Sequence, residues 1–154
     1  MKTIQIVSGG QTGADQAALR WAIQHQVPHG GWCPRERRSE SGPIPEIYRL
    51  RETPNETYEE RTMWNVRDSD ATVIFTLQEG LAGGSAHTAV ACVDIGKPVL
   101  HLAAATFTPR EAAHALSHFL KKHHVTVLNI AGPRASEEPG VDAWVCDVMD
   151  RVFG

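Results

Sequence analysis

The stretch T-I-Q-I-V-S-G-G-Q-T-G-A-D-Q-A-A-L-R-W-A, residues 3–22, carries the pattern from which the rest of the chain is read. Residues 3–8 are apolar and β-branched enough for a buried strand. A glycine-rich loop over 9–13 breaks that run. Over 14–26, Ala14, Ala17, Ala18, Trp21 and Ala22 recur on one helical stripe. Strand, glycine loop and helix in succession are the start of a parallel α/β unit.

The same alternation continues to the end of the sequence. A short strand is expected over 31–33, followed by a polar loop rich in Pro, Arg and Glu over 34–46. Residues 48–53 read as a strand, 56–69 as a helix, and A-T-V-I-F-T-L over 71–77 as the clearest strand. A second glycine-bearing loop over 78–84 leads to a helix over 85–95 that Gly96 caps, then a strand over 98–102. Thr108, with Pro109 at the first helical position, starts a helix to about His123. A strand over 126–131 and a helix within 136–153 complete the set. The expectation is one Rossmann-like, doubly wound α/β domain over residues 1–154. It has a mainly parallel sheet of about six strands, in order 3-2-1-4-5-6, with helices on both faces.

Composition narrows the function. Hydrophobic residues at 42% and charged residues at 21% describe a globular chain. A net charge of −3 offers no basic field for nucleic acid or a membrane surface, and glutamates interleave the arginines of 35–67. Cys33, Cys92 and Cys146 lack C-x-x-C spacing, so neither a disulfide framework nor a zinc ribbon follows. The opening M-K-T-I-Q-I-V-S is too short for a signal peptide, and no apolar run approaches the ~20 residues of a membrane span. A soluble, cytoplasmic protein is expected.

Doubly wound sheets bind ligands at the carboxyl ends of strands, where the strand order reverses. Glycines allow close backbone approach, and amides at helix starts attract anions. Gly9, Gly10, Gln11, Thr12 and Gly13 after the first strand, and Gly83, Gly84, Ser85 and Thr88 after the fourth, are therefore expected to hold a small anionic, phosphate-bearing molecule. Asp15 belongs to this site if it meets a hydroxyl, an amine or a metal. On the helix over 56–69, Tyr58 and Val66 mark the sheet-facing side, which turns Thr62 and Asn65 inward against the binary pattern, with Arg61 at the edge. His87, Cys33 and Arg134 are weaker candidates. His114 and His118 have metal-ligand spacing but lie opposite the buried face of their helix, so a solvated face is the reading. No catalytic residue and no metal ligand is assigned. Gly10→Val and Gly84→Val are each expected to remove binding and spare the fold. Trp64, on a charged outer face, is expected to be buried between subunits of a two-fold homo-oligomer, a dimer or tetramer. Cover by the 34–46 loop of its own chain is the alternative.

The motifs G-G-Q-T-G-A-D-Q-A-A-L (9–19), G-W-C-P (31–34), R-R-S-E-S-G-P-I-P (37–45) and L-R-E-T (50–53) resemble the molybdenum carrier family. So do E-R-T-M-W-N-V-R-D-S-D-A-T (60–72), G-G-S-A-H-T (83–88), G-K-P (96–98) and N-I-A-G-P-R (129–134). The resemblance covers nearly the whole chain. It implies a Rossmann-like fold, an oligomeric state and a non-catalytic carrier whose cargo is molybdenum cofactor, a pterin dithiolene with a phosphate. The family is similar to a wider Rossmann-like group that includes LOG-type, lysine-decarboxylase-like phosphoribohydrolases and the DNA-processing protein A fold. That group implies two alternatives. One is hydrolysis of a nucleotide N-glycosidic bond, with Asp15 or Glu52 as the carboxylate; the other is a nucleotide-sensing module. The chain departs from the phosphoribohydrolase motif P-G-G-x-G-T-x-x-E: it has L-A-G-G-S-A-H-T-A-V-A, with no glutamate after Thr88 at the matching place. Ser85 stands where carrier relatives have threonine, and Arg35-Glu36 where a Lys-Gly pair is usual.

Overall fold

The computed structural model describes residues 4–154, so Thr3, placed above in the first strand, lies outside the described residues. The chain runs β1 (Gln5–Val7), α1 (Ala14–Gln24), β2 (His29–Gly30), β3 (Trp32–Cys33), a 3-10 turn at Arg35–Arg37, β4 (Arg38–Ser39), β5 (Gly42–Pro43) and β6 (Arg51–Glu52). It continues with α2 (Tyr58–Arg67), β7 (Ala71–Thr76), α3 (Gly83–Ile95), β8 (Val99–Ala103), α4 (Pro109–Lys122), β9 (Val127–Ala131) and α5 (Val141–Phe153).

Five strands form a parallel central sheet in the order β2-β1-β9-β7-β8. The α/β class is as expected, but the order 3-2-1-4-5-6 is corrected. The last strand enters the middle of the sheet, between β1 and β7. The strand expected over 48–53 shrinks to β6, which leaves the main sheet and pairs in parallel with β3. The polar loop over 34–46 holds its own hairpin, β4 against β5.

The helices follow from crossover handedness. The units β1–α1–β2 and β8–α4–β9 step one way along the sheet, and β7–α3–β8 steps the other. Right-handed crossovers then put α1 and α4 on one face and α3 on the opposite face. α5 joins α1 and α4, and α2 packs on α3. With both faces covered, every residue of β7 is buried, which accounts for its unbroken apolar run. The alanine stripe of α1 and Trp21 meet α5 in the main core with Trp144, Val145 and Val148. Thr108 caps α4 as expected, and Glu111 completes a capping box with it.

Trp64 is partly covered within its own chain. Its ring meets the Trp32 ring of its own chain edge-on at 4.7 Å, and Arg67 lies over it at 4.7 Å. The half-buried ring therefore has intramolecular cover, and that cover is Trp32 rather than the 34–46 loop.

Entry of β9 into the sheet depends on a polar anchor. Asp70, just before β7, accepts from Thr126 N (2.9 Å), Thr126 Oγ1 (3.0 Å) and Val127 N (2.9 Å). Partial burial works against the Asp70 charge, but the hydrogen bonds from Val127 and Thr126 outweigh it and hold the carboxyl below its ordinary value. A lowered carboxylate pKa stabilises the fold above the unfolded-state value of about 3.9, and the effect is lost as pH falls through the folded value. Asp70→Asn is expected to cost about 1–2 kcal/mol near pH 7. The gap to wild type should close below pH ~3. Denaturant unfolding at the two pH values measures both. A gap that is unchanged at low pH contradicts the role of the charge.

Candidate functional site

Three loops leave the carboxyl edge of adjacent strands: residues 8–13 after β1, 132–140 after β9 and 77–82 after β7. The first two of these loops, with the first turns of α2 and of α3, enclose a cleft of about 220 Å³. Among the residues proposed from sequence, Gln11, Asp15, Arg61, Thr62, Gly83, Gly84, Ser85 and Thr88 line this cleft. Gly9, Gly10, Thr12, Gly13 and Asn65 are not in its lining.

The first glycine loop serves packing. Arg61 crosses Gly9 so closely that a Cβ there would stand 1.8 Å from its Nη1. The passage lets Arg61 Nη1 reach Asp15 Oδ2 at 3.1 Å, with side chains 14% and 3% exposed. Gly10 has φ +81°, and a Cβ on it would meet Ile44 and Leu50 at 2.7 Å each. Gly13 backs onto Pro133 and Ala135. The loop amides also turn inward. Gln11 N donates to Asp15 Oδ2 (3.2 Å), Thr12 N to Gln11 Oε1 (3.0 Å) and Ala14 N to Pro133 O (3.3 Å). Within the loop expected as an anion cradle, the Gln11 and Thr12 amides therefore already have protein acceptors. Asn65 points inward but clamps β3: its Oδ1 accepts from Trp32 N at 2.8 Å, and its Nδ2 donates to Trp32 O at 2.9 Å.

Unused hydrogen-bonding capacity gathers at the cleft. Gln11 Oε1 accepts from both Thr12 N and Glu40 N, each at 3.0 Å. That fixes the orientation of the side-chain amide and leaves Nε2 as a donor without a partner. Arg61 Nε and Ser85 Oγ also lack partners. Among the described residues, these three are the buried side-chain nitrogen and oxygen atoms left unpaired, and all belong to residues of one cleft. Each such atom costs about 1–3 kcal/mol while unpaired. The second glycine loop adds a helix terminus. α3 begins at Gly83 with no side-chain cap, and Gly83 and Gly84 are exposed, so the positive end of its dipole opens into the cleft. Thr88 is already engaged, donating to Gly84 O at 2.9 Å.

Electrostatics answer the question that Asp15 raised. Burial pushes its carboxyl up, against the pull of the Arg61 guanidinium and the Gln11 amide. The partner that Asp15 needs is therefore a residue of the chain, and an incoming anion meets a pair rather than a bare carboxylate. Cys33 is fully buried and its thiol is pushed up by that burial, which marks a packed thiol. Glu52 lies on β6, outside the cleft lining. His114 and His118 are exposed on α4. His87 lines the cleft, but Ser85 Oγ makes no hydrogen bond to it.

Sequence reasoning missed several lining residues. Tyr58, expected to face the sheet, forms part of the cleft wall, and Glu59, Gly132, Pro133 and Glu137 join it. Only G-P-R after the last strand carried a signal, through Arg134; Glu137 carried none. The hairpin tip also takes part. Glu40 accepts from Thr12 Oγ1, Ser136 N and Ser136 Oγ, while Ala135 N donates to Thr12 Oγ1 at 3.1 Å. The bonds from Ser136 and then Thr12 hold the Glu40 carboxyl below its ordinary range.

Comparison with known proteins adds the context. A family model described as the circularly permutated YpsA SLOG family matches residues 6–153. The chain is also similar to a protein from Syntrophus aciditrophicus SB named putative molybdenum carrier protein, whose crystal structure is known at 1.45 Å resolution. The identity is 42% over 99% of this chain and 97% of the other, with a TM-score of 0.97. No curated protein matches the chain.

The two glycine loops respond differently to substitution. At Gly84 no atom lies within 4 Å of the place a Cβ would take, so Gly84→Asp should stay within about 0.5 kcal/mol of wild type while placing a carboxylate in the cleft. Gly10→Val combines left-handed strain with overpacking and should lose at least about 2 kcal/mol, which replaces the expectation that the fold is spared. Chemical denaturation of both variants checks this. A Gly10→Val chain as stable as wild type contradicts the packing role.

Proposed function

The chain belongs to the circularly permutated YpsA SLOG family, and from that premise we propose that it is a single-domain carrier of a small oxyanion-bearing molecule held in this cleft. The observation that carries the proposal is the convergence of Gln11 Nε2, Arg61 Nε and Ser85 Oγ, all unpaired, beside the uncapped start of α3. The two nitrogens can only donate, and a helix N-terminus favours negative charge, so the complementary ligand presents oxygen acceptors. Gly83 and Gly84 supply amides, and Thr62 and Thr88 complete the polar lining. Molybdenum cofactor, whose phosphate would lie at the α3 start, is the cargo that the likeness to the molybdenum carrier protein supports; a nucleotide offers the same phosphate chemistry. The Asp15 carboxylate is held by Arg61, which favours holding over hydrolysis.

Calorimetric titration with molybdenum cofactor, molybdate and nucleoside monophosphates tests this. At least one should give saturable heat, weakened about tenfold or more by Gly84→Asp, a change of about 1.4 kcal/mol. Silence with all of them at near-millimolar protein defeats the proposal. Release of a free base from any nucleotide replaces it with the hydrolase reading.

Assembly belongs to the same proposal, with its interface moved from Trp64 to α3. On that helix Ala91 and Cys92 are buried, whereas Val90 and Val93 on the outer side are 58% and 74% exposed, beside exposed His87 and Asp94. Met63 of the adjoining α2 is 48% exposed. Exposed valines next to an exposed methionine are suited to burial against a second copy in a two-fold arrangement. Light scattering should show a multiple of 16.9 kDa for wild type. The double change Val90→Glu and Val93→Glu should return it to one chain. A wild-type monomer at micromolar concentration overturns the assembly.

A further inference from the structure

The guanidinium groups of Arg38, Arg61 and Arg134 converge on one phenol ring. Their Cζ atoms lie 4.7, 5.4 and 5.4 Å from the centre of the Tyr58 ring. They arrive from β4, α2 and the loop after β9, three segments distant in sequence. Three like charges around one ring repel, so something must hold them. The π face of Tyr58 attracts cations. Asp15 balances Arg61, and Glu137 balances Arg134 at 3.1 Å. Arg38 forms no ion pair among the described residues; its Nη1 donates to the Glu56 carbonyl at 3.1 Å. The cluster therefore keeps cationic capacity: Arg61 and Arg134 line the cleft, and Arg38 meets the Tyr58 ring from outside that lining. Glu59 also lines the cleft but stands exposed, where solvent screens its charge.

Glu137 shows how that capacity is used. Its Oε1 takes the Arg134 guanidinium, and its Oε2 stands 3.4 Å from where a Cβ of Gly83 would lie. A carboxylate of the protein itself thus pairs with the arginine cluster and stands beside the first turn of α3. Both neighbours seek negative charge.

We propose that Tyr58 gathers Arg61, Arg134 and Arg38 into a second oxyanion subsite beside the α3 start. The ligand of this cleft accordingly carries two anionic groups, and Glu137 is the stand-in that such a ligand displaces. The inference rests on the reading of the cleft as an anion site. Ser85, with the helix terminus, takes one group. Arg61, through its unpartnered Nε, and Arg134, released from Glu137, take the other. Arg38 strengthens the field from the hairpin, which gives the 34–46 loop a part in binding.

The test titrates the full chain with orthophosphate, pyrophosphate and tripolyphosphate at constant ionic strength. The linked phosphates should bind at least about tenfold more tightly than orthophosphate. Arg38→Gln, Arg134→Gln and Tyr58→Leu should each reduce that ratio; Tyr58→Phe, which retains the ring, should preserve it. Glu137→Gln should tighten the linked phosphates several-fold, because the internal competitor loses its charge. Thermal unfolding confirms that each variant folds, and exposed Arg38 gives the variant least able to disturb the core. Equal affinity for all three ions in wild type, or a ratio that survives in the arginine variants, overturns the second subsite. A Glu137→Gln chain that binds no more tightly overturns the stand-in. Absence of heat from every ion instead defeats the anion-site reading itself, a result distinct from orthophosphate binding without discrimination.

Discussion

Asp15 and Arg61 are buried together, and removing either would leave an isolated charge in a place where isolated charges are costly. Much of the carboxyl edge is arranged around that pair. Arg61 must come from α2, on the face of the sheet opposite α1, and the short way passes over residue 9 with no room for a side chain. Docking of α2 there brings Tyr58 and Thr62 to the cleft and lets Asn65 grip the backbone of Trp32. The geometry leaves Arg61 Nε without a partner while its Nη1 is satisfied. A structural ion pair and a candidate ligand contact thus share one side chain.

The α/β class and the run of elements were legible because hydrophobic period is a local property. β7 announces burial on both faces within six residues, and the start of α4 announces itself through Thr108, Pro109 and Glu111. Strand order was not legible, because no local pattern encodes that β9 pairs with β1 and β7 at once. The small ladder of β3 with β6 was equally hidden, since two-residue strands carry no period. At the site, the residue types were visible but their tasks were not. A glycine in a sequence says that a Cβ is unwelcome and does not say whether a ligand or the protein claims the space. At Gly9 and Gly10 the protein claims it; at Gly84 the space is open. Asn65 shows the same ambiguity for a polar residue turned inward, where backbone clamping and ligand contact look alike. Glu137 stands in an irregular loop, where no periodicity marks one side chain from the next.

The position of β9 also gives physical meaning to the family description. Permuting a chain moves an element along the sequence and leaves its place in space unchanged. A strand that closes the sequence yet sits at the centre of the sheet is the kind of result that such a change produces. The loop after β9 consequently lies between the two glycine loops, with Gly132 packed against Phe75 O and the Ala14 Cβ.

The hydrogen bonds to Glu40 join segments that the chain keeps far apart: the hairpin tip, the first glycine loop and the loop after β9. In mechanical terms this ties the segments beside one side of the cleft into a single unit. Thr12, Ser136 and Gln11 cannot be freed independently, since each is tied to the same residue. A protein that holds a ligand and then surrenders it needs an escape rate that can differ from its affinity. Loosening Glu40 would free Thr12, Ser136 and the Gln11 amide together, so the stiffness of this side of the cleft and the aim of one unpaired donor are set by one residue.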